Sequence, residues 1–402
     1  MNLDLISNKV WNKVPVSQIA DIILGGTPKT SIEDYWGGNI AWASAKDISN
    51  NNGRYIYETE KSITKKGLEN SNARLLPKRT IVITARGTVG KLAILPQEMC
   101  FNQSCYGIIG KNEINQLFLY YALKESLNRI QSLTYGTIFD TITIKSFDEL
   151  EIFLPDKINQ EAISSVLNFI DSLIELNYNM NITLEKIAEA IFKSWFVDFE
   201  PFQDIEFIES EMGKTPKEWN IELLNNYAKI QNGKKVREKH DNKNNEYKIP
   251  IYSGATIIGY TNESKYNTPI LITGRVGTLG LIHRVKDPCW ASDNTIVIIP
   301  NHEIYYDLLY FYLKNAKLEN YNRGAANPLI VQNDVKQIKI LIPDEEILKR
   351  FSEITSPLFN KMKANKIESE FLINLRDLIL PHLISGRSRF ENPIKFLEEI
   401  EN

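Results

Sequence analysis

The sequence has few of the residues that build disulfide frameworks and metal sites. Its three cysteines, Cys100, Cys105 and Cys289, are too few and too scattered for a disulfide framework, which favours a reducing compartment. The four histidines stand apart from one another, and no spacing of Cys and His matches a zinc site. We therefore expect neither a disulfide framework nor a bound metal.

An excess of positive charge is also missing. The 402 residues include 47 Lys and Arg against 50 Asp and Glu, which gives a net charge of −3. Nucleic-acid binding therefore has no global support and has to come from local clusters of Lys and Arg. No apolar run has membrane-spanning length, and the N-terminus lacks the basic and apolar regions of a signal peptide. We expect a soluble, cytoplasmic chain with no membrane partner.

Motifs of catalysis are scarce. Residues 86–91 follow an apolar segment, as a phosphate-binding loop would, but Ala85 stands where that motif requires Gly, and Leu92 where it requires Ser or Thr. Residues 241–248 imitate a nuclease metal site but lie in a polar, Asn-rich loop. No adenine-methyltransferase tetrapeptide, glycine-rich cofactor fingerprint or nucleophile elbow is present. We expect a non-catalytic chain without a cofactor of its own.

The most regular feature is a long heptad pattern that occurs twice. The copies run from about Asp156 to Phe196 and from about Asp344 to Ile384, with an offset of 188 residues. A sustained repeat of seven is typical of a coiled-coil seam. The first seam position holds Ile163, Ile170, Asn177, Leu184 and Ile191 in one copy, and Phe351, Leu358, Asn365, Leu372 and Ile379 in the other.

A second seam position is predicted three residues later, and it is less regular. It holds Val166, Leu173, Met180 and Ile187 in the first copy, and in the second copy Ile354 and Leu375 together with the polar Lys361, Glu368 and His382.

One Asn lies at the centre of each five-position run. An Asn at a seam can fix the register of paired helices, although any long helix can carry one. If the two helices pair antiparallel about their midpoints, Asn177 and Asn365 face each other.

Each long helix follows a globular block, and the two blocks repeat one another. Trp219 matches Trp11 and Gly233 matches Gly25, both at an offset of 208 residues. Short β-branched runs and one helix, from about Gln116 to Leu133, indicate a mixed α/β domain with a mostly antiparallel sheet. The predicted class is α+β, with two such domains separated by two long antiparallel coiled-coil helices in an internal pseudo-twofold repeat. The expected order is block 1 (1–155), helix (156–200), linker (201–212), block 2 (213–343), helix (344–386) and tail (387–402).

Both blocks contain an Arg-Gly turn. Arg86, Thr88 and Lys91 belong to the first copy, and Arg275 and Thr278 to the second. Such a turn between strands could reach DNA phosphates or guanine edges, or it could be a glycine-rich hairpin with a solvated Arg. Because both blocks retain the turn while their loops differ, a shared backbone contact or scaffold role is favoured over base reading.

Further candidates for DNA contact lie in other turns. A basic run follows Gly233, and the matching place in block 1 is also polar and partly basic. A charged run of this kind can equally be a solvated loop, and Asn and Gln are often turn formers. These candidates are Lys234, Lys235 and Arg237, the matching Lys29 and Thr30, and in addition Lys46, Arg74, Gln103 and Arg323.

The whole chain resembles the specificity (S) subunit of type I restriction–modification enzymes. The resemblance rests on the block–helix–block–helix order, on Gly25-Gly-Thr-Pro28, and on the segments 192–202, 213–219 and 380–386. It implies that each block is a target-recognition domain for half of a split DNA site. The helices would act as a spacer and as the docking surface for two methyltransferase (M) subunits, with restriction (R) subunits joining them. The partners would use S-adenosylmethionine, and ATP and Mg²⁺ for restriction.

One alternative from another class remains. The chain could be a tandem-domain protein-interaction scaffold that binds no DNA, with the long helices as its functional surface. The length of the spacer fits the DNA-specificity function better, since forty helical residues span roughly 60 Å. Two blocks at the ends of such a spacer could read half-sites about one duplex turn apart.

Overall fold

A computed structural model describes residues 11–51, 53–133, 141–324, 328–390 and 392–393. The chain divides into two compact units. Unit 1 comprises residues up to 178 and from 366 onward, and unit 2 comprises residues 179–365. Each unit therefore contains one globular block and half of each long helix.

The described helices match the predicted ones closely where the sequence pattern is long. The helix predicted at 116–133 has those bounds, and the two long helices begin and end within one residue of the heptad copies at 156–196 and 344–384. The first of them ends four residues before the expected boundary at 200. The α-helices are α1 Val16–Ile19, α2 Ala45–Asn50, α3 Lys65–Glu69, α4 Gln116–Leu133, α5 Ser146–Glu149, α6 Lys157–Phe196, α7 Tyr306–Asn315, α8 Gln332–Lys336 and α9 Glu345–Ser385.

The two long helices begin at equivalent capping residues. Asp156 Oδ1 accepts a hydrogen bond from the backbone N–H of Asn159 (2.9 Å), and Asp344 Oδ1 accepts one from that of Ile347 (2.9 Å). Each carboxylate satisfies a backbone donor that the first turn leaves free. The Pro-Asp pairs before the heptads thus set where α6 and α9 start.

The described part of block 1 contains three sheets. Their orders are β1-β9, β2-β8-β5-β6 and β4-β3-β7. The strands are β1 Lys13–Pro15, β2 Ala20–Leu24, β3 Trp36–Ala43, β4 Lys61–Ile63, β5 Ile81–Thr84, β6 Leu92–Ile94, β7 Cys100–Phe101, β8 Cys105–Gly110 and β9 Glu151–Phe153.

Block 2 repeats these three sheets and adds a hairpin. The repeated orders are β12-β20, β13-β19-β16-β17 and β15-β14-β18, and the hairpin is β10-β11. The strands are β10 Phe207–Ser210, β11 Gly213–Pro216, β12 Asn220–Leu223, β13 Ala228–Asn232, β14 Ile249–Tyr252, β15 Ile257–Thr261, β16 Ile270–Gly274, β17 Ile282–Val285, β18 Trp290–Ala291, β19 Thr295–Pro300 and β20 Lys339–Ile342.

The repeat extends to strand direction. In both four-stranded sheets all neighbouring strands are antiparallel. In both three-stranded sheets the central strand is parallel to the short strand beside it, β3 to β7 and β14 to β18. The predicted α+β class with an internal repeat is confirmed.

Each block shares its hydrophobic core with the helix segments of its own unit. In unit 1, Ile163 and Leu167 of α6 and Leu383 of α9 are buried with α4 and the four-stranded sheet. In unit 2, Phe192 of α6 and Phe351 of α9 are buried with α7 and its sheet. Burial of one such side chain contributes roughly 1.5–3 kcal/mol, so the helices are part of each core.

The antiparallel pairing of the helices is visible within unit 1. Along α6, Asp171 accepts a hydrogen bond from Arg376 (2.7 Å), and Asn177 farther on donates one to Glu368 (3.1 Å). As the residue number rises on α6, it falls on α9, so the two segments run antiparallel.

The second seam position lies one residue later than the sequence analysis placed it. Leu167 and Thr355 are 0% exposed, whereas Ile187 and Ile354 are each 43% exposed. A heptad seam alternates spacings of three and four, and the letters alone do not fix which comes first. The seam continues through 174, 181 and 188 on α6 and through 362, 369 and 376 on α9. This change leaves Lys361 and Glu368 outside the seam, where both are exposed.

The two central Asn residues are buried at the seam, but the expected Asn177–Asn365 pair is corrected. Asn177 Nδ2 donates to Glu368 Oε2 (3.1 Å), and Asn365 Nδ2 donates to Asn181 Oδ1 (2.8 Å). Each partner lies about one helical turn from the expected one. The shift follows from the seam phase, which places position 181 in the seam.

This seam assignment predicts a contrast between two neighbouring residues of α9. Phe351→Ala should lower the free energy of unfolding by about 3–5 kcal/mol, because the ring is 1% exposed. Ile354→Ala should lower it by less than about 1 kcal/mol, because that side chain is 43% exposed. Denaturant unfolding of the full chain measures both, and equal losses would contradict the assignment.

Candidate nucleic-acid interface

Four strand ends meet at one edge of the four-stranded sheet of block 1. Strands β2 and β5 end there, at Leu24 and Thr84, while β6 and β8 begin there, at Leu92 and Cys105. Strand β3 of the smaller sheet ends beside them, since Asn102 N–H donates to the carbonyl of its last residue, Ala43 (3.0 Å). The turns after these strands therefore lie together at this edge.

Backbone contacts join the turns of this edge. Gly26 N–H donates to the Phe101 carbonyl (2.9 Å), and Ala85 N–H donates to the Ser104 carbonyl (2.7 Å). A Cβ atom on Gly26 would lie 2.1 Å from the Asn72 carbonyl oxygen, so this turn has room for glycine alone. The Gly-Gly-Thr-Pro turn is thereby fixed against two other turns.

The Arg-Gly turn has the same backbone conformation in both blocks. Gly87 and Gly90 have φ values of +77° and +83°, and Gly277 and Gly280 have +80° and +84°. These left-handed conformations favour glycine. Arg86 stands at the start of the first copy with an exposed side chain. The structure thus retains the turn that the sequence repeats.

Several predicted residues of block 1 lie at this edge. Thr88 is exposed, and the hydroxyl of Thr27 hydrogen-bonds to the exposed Gln103. Lys46 is exposed and pairs with Glu60 at 3.5 Å, which partly offsets its charge. Thr30 and the basic residues Lys29, Arg74, Arg86 and Lys91 are exposed, and none of these basic residues has an ion-pair partner among the residues that the structure describes.

Block 2 presents the corresponding edge with a different set of residues. Lys234, Lys235 and Arg237 follow β13 and are exposed, without ion pairs in the described part of the chain. The carbonyl of Lys234 accepts a hydrogen bond from Trp290 Nε1 (2.7 Å), so the start of this run is anchored. Thr278 is exposed as well.

Arg275 and Arg323 make contacts within block 2. Arg275 Nη1 lies 3.5 Å from the carbonyl oxygen of Asp293, and its backbone N–H donates to the Asn294 carbonyl (2.8 Å). Arg323 forms a bidentate pair with the buried carboxylate of Asp334. That pair gives Arg323 a structural role, and its DNA contact remains a prediction.

Sequence reasoning missed one turn at the edge of block 2. A Cβ on Gly254 would lie 2.5 Å from Gly274 Cα, so the turn 253–256 packs directly against the Arg-Gly turn. Ala255 and Thr256 of this turn are exposed. The Ser-Gly pair after an apolar strand is the signal that could have identified it.

The described residues offer little support for nucleophilic catalysis or metal binding. Burial raises the pKa of the Cys100 thiol to about 11 and that of the Cys289 thiol to about 12. Both are therefore thiols at neutral pH. No group of three or more His, Cys, Asp or Glu side chains that could hold a metal occurs in the described parts of the chain. No helix described there is both long and apolar enough to span a membrane.

The fold and the two edges define a class: a protein with two copies of one α+β module, each carrying exposed basic turns on the same sheet edge. The model of the type I restriction modification DNA specificity domain matches residues 8–186 and 216–370, one match for each copy. The chain belongs to this family. As a DNA specificity subunit it supplies recognition, and the expectation of a non-catalytic chain is confirmed by this membership.

Similar proteins extend over nearly the whole chain. The MjaIX type I specificity subunit of Methanocaldococcus jannaschii is 30% identical, with 95% of this chain and 94% of that protein covered. The HindI specificity subunit of Haemophilus influenzae is 24% identical over 95% and 92%. The crystal structure of an S subunit from M. genitalium has 18% identity and a TM-score of 0.59, over 95% of this chain and 98% of that one. The similarity to this structure shows that the two chains share a fold.

Proposed function

We propose that this subunit reads a split, asymmetric site in double-stranded DNA, one half with each block. The observation that carries the proposal is the repeated sheet edge, which has one backbone frame and two different sets of exposed side chains. A shared frame suits contacts to the regular phosphate backbone, and different side chains suit different bases. Because the net charge is −3, binding depends on these local edges.

The residues of each edge divide into two expected roles. Arg86 lies in the first copy of the repeated turn, and Arg275 lies one position before Val276, the residue that matches Arg86 in the second copy. Both belong to the retained turn, so we assign them to phosphate contact. The turn after β2 and the turn after β13 differ, with Lys29 in one and the run of Lys234 and Lys235 in the other. We assign such unequal turns to the reading of bases.

We further propose that the helices dock the M subunits. Exposed apolar side chains on α6 of unit 1 support this. Ser172 faces block 1, where it accepts a hydrogen bond from its Arg54, and Asn177 faces α9. Phe169 and Leu176 lie on the remaining side and are 60% and 55% exposed.

Helix α9 adds to this surface in unit 1. Leu380 is buried in the core of block 1, and Arg376 faces Asp171 of α6. Phe371 and Leu378 point away from both and are 65% and 67% exposed. Four large apolar side chains exposed on one helix pair are typical of a protein interface. We call Phe169, Leu176, Phe371 and Leu378 the apolar stripe.

The matching positions in unit 2 are occupied by smaller side chains. At the repeat offset of 188 residues they are Pro357, Ala364, Thr183 and Ala190. We expect two M subunits, one for each unit, and the stronger docking at the apolar stripe of unit 1. R subunits would join this assembly in the cytoplasm. S-adenosylmethionine, ATP and Mg²⁺ would belong to the partners.

Replacement of Arg86 tests the assignment to phosphate contact. For the complex with M subunits, Arg86→Ala should weaken binding to every DNA sequence and reduce the slope of log K against log salt by about 1. Lys65→Ala is the control, because this exposed lysine, paired with Glu69, follows β4 of the three-stranded sheet at the end away from the edge. Binding titrations at several salt concentrations measure both, and an unchanged slope for Arg86→Ala would refute the assignment.

Replacement of Phe371 tests the docking surface. Phe371→Lys should leave the melting temperature of the isolated chain nearly unchanged, because the ring is 65% exposed. Its binding of M subunit should fall at least about tenfold, since charge at a desolvated apolar contact is unfavourable. Glu370→Ala, at the exposed neighbouring position, is the control. Equal binding by Phe371→Lys and the unaltered chain would exclude the stripe as the docking surface.

Exchange of residues 1–155 for the block of another family member tests the proposed function as a whole. With M subunits present, the exchange should change one half of the methylated site and leave the other half unchanged. A change in both halves would refute the proposal that each block recognises one half of the site. Binding without sequence preference, in both the original and the exchanged chain, would favour the alternative of a protein-interaction scaffold.

A further inference from the structure

A buried arginine joins block 1 to α6. The side chain of Arg54 is 5% exposed, and all five of its N–H groups have acceptors. Nε and Nη2 donate to the Glu175 carboxylate (2.8 and 3.1 Å), and Nη2 also donates to Ser172 Oγ (2.9 Å). Nη1 donates to Asn168 Oδ1 (2.7 Å) and to the hydroxyl of Tyr121 (3.1 Å). Three of these four partners belong to α6.

The same network reaches α9. The Tyr121 hydroxyl donates to Asp171 Oδ2 (2.8 Å), and Arg376 Nη1 donates to Asp171 Oδ1 (2.7 Å). Tyr121 and Asp171 are buried at this contact, and the side chain of Arg376 is 13% exposed. The helices therefore supply both carboxylates and the guanidinium of Arg376, and block 1 supplies the guanidinium of Arg54. We call this network clamp 1.

Block 2 has an arginine that is 13% exposed, in a different arrangement. Arg284 of β17 donates to the buried carboxylate of Asp307 on α7 (2.5 Å), so both charges belong to the block. The other oxygen of Asp307 accepts hydrogen bonds from Thr355 (2.7 Å) and Ser356 (3.2 Å) of α9. The guanidinium carbon lies 3.2 Å from the ring centre of Phe359. We call this network clamp 2.

The two clamps engage equivalent places on the helices with different chemistry. At the offset of 188 residues, Asn168 matches Ser356, and the anionic Asp171 and Glu175 match Phe359 and Lys363. Clamp 1 thus needs negative charge from its helices. Clamp 2 contains its own carboxylate and takes hydroxyl groups and a ring from α9.

We propose that the clamps determine which block each helix segment accepts, so that the order of the two blocks along the chain is fixed by their contacts with the helices. Block 1 moved to the second position would place Arg54 against Phe359 and Lys363, where Lys363 is a like charge and neither counterpart of Asp171 and Glu175 carries a carboxylate. Block 2 moved to the first position would retain the Arg284–Asp307 pair. The move of block 1 to the second position is therefore excluded, and the move of block 2 to the first position is tolerated.

The asymmetry has a further structural basis in clamp 2. Arg284 Nη1 has no hydrogen-bond partner among the described residues. In the first position the residue that replaces Phe359 is Asp171, whose carboxylate could accept from this group. Because Asn168 would replace Ser356, its amide could still donate to Asp307. Clamp 2 thus finds partners on either helix segment, and clamp 1 finds them on one.

Charge reversal at equivalent helix positions is the first test. Glu175→Lys in the full chain should lower the melting temperature by about 5–10 °C, since it removes the carboxylate of a buried pair. Glu175→Gln should lower it less, because the amide still accepts a hydrogen bond. Lys363→Glu is the matched control and should change it little, since Lys363 forms an exposed pair with Asp287. Equal effects of Glu175→Lys and Lys363→Glu would overturn the proposal.

Transplantation with rescue is the second test. A chain in which block 1 also replaces residues 213–343 should expose the second copy to limited proteolysis. The α9 substitutions S356N, F359D, N360S and K363E should restore protection. A chain with block 2 in both positions should resist proteolysis without substitutions. Equal protection of the transplanted block 1 with and without the four substitutions would refute the proposal.

Neither readout uses DNA. A failure of the clamp proposal is thereby distinguishable from a failure of the proposed recognition function.

Discussion

The burial of Arg54 limits how block 1 can sit on its helices. A guanidinium out of contact with water has to keep nearly all of its donors bonded, and loss of one charged partner costs several kcal/mol. Arg54 therefore holds block 1 in the single position where Asn168, Ser172 and Glu175 are all within reach. The sheet edge of the same block takes its direction from this position, and so do the exposed turns proposed to contact DNA.

A repeated scaffold can diverge in two places while its frame stays the same. The four-stranded sheets, their strand directions and the glycine conformations of the Arg-Gly turns are alike in both units. The exposed turns and the buried clamps are not alike. Divergence at the turns would give the two blocks different DNA targets. Divergence at the clamps would give them different binding positions on the helices.

Most features of the fold that were predicted correctly came from local sequence patterns. The heptads and the paired Arg-Gly turns depend on neighbouring residues, and the structure has both. The predicted phase of the second seam position was wrong, because spacings of three and four residues both fit the sequence. In the structure Thr355, and not Ile354, lies in the core, where it donates a hydrogen bond to Asp307. The Arg54 network was missed because its partners lie 67 to 121 positions away. The Asp334 partner of Arg323 was missed although it is 11 positions away, because pairing in space has no signature in single residues.

We propose that two unlike sheet edges on one repeated frame read the two halves of one DNA site. Sequencing of methylated bases in the host genome, with and without this chain, tests it most directly. We expect a methylated motif that depends on the chain and consists of two different short halves separated by an unspecified gap. A chain-dependent motif that is continuous, or two identical halves, would contradict it.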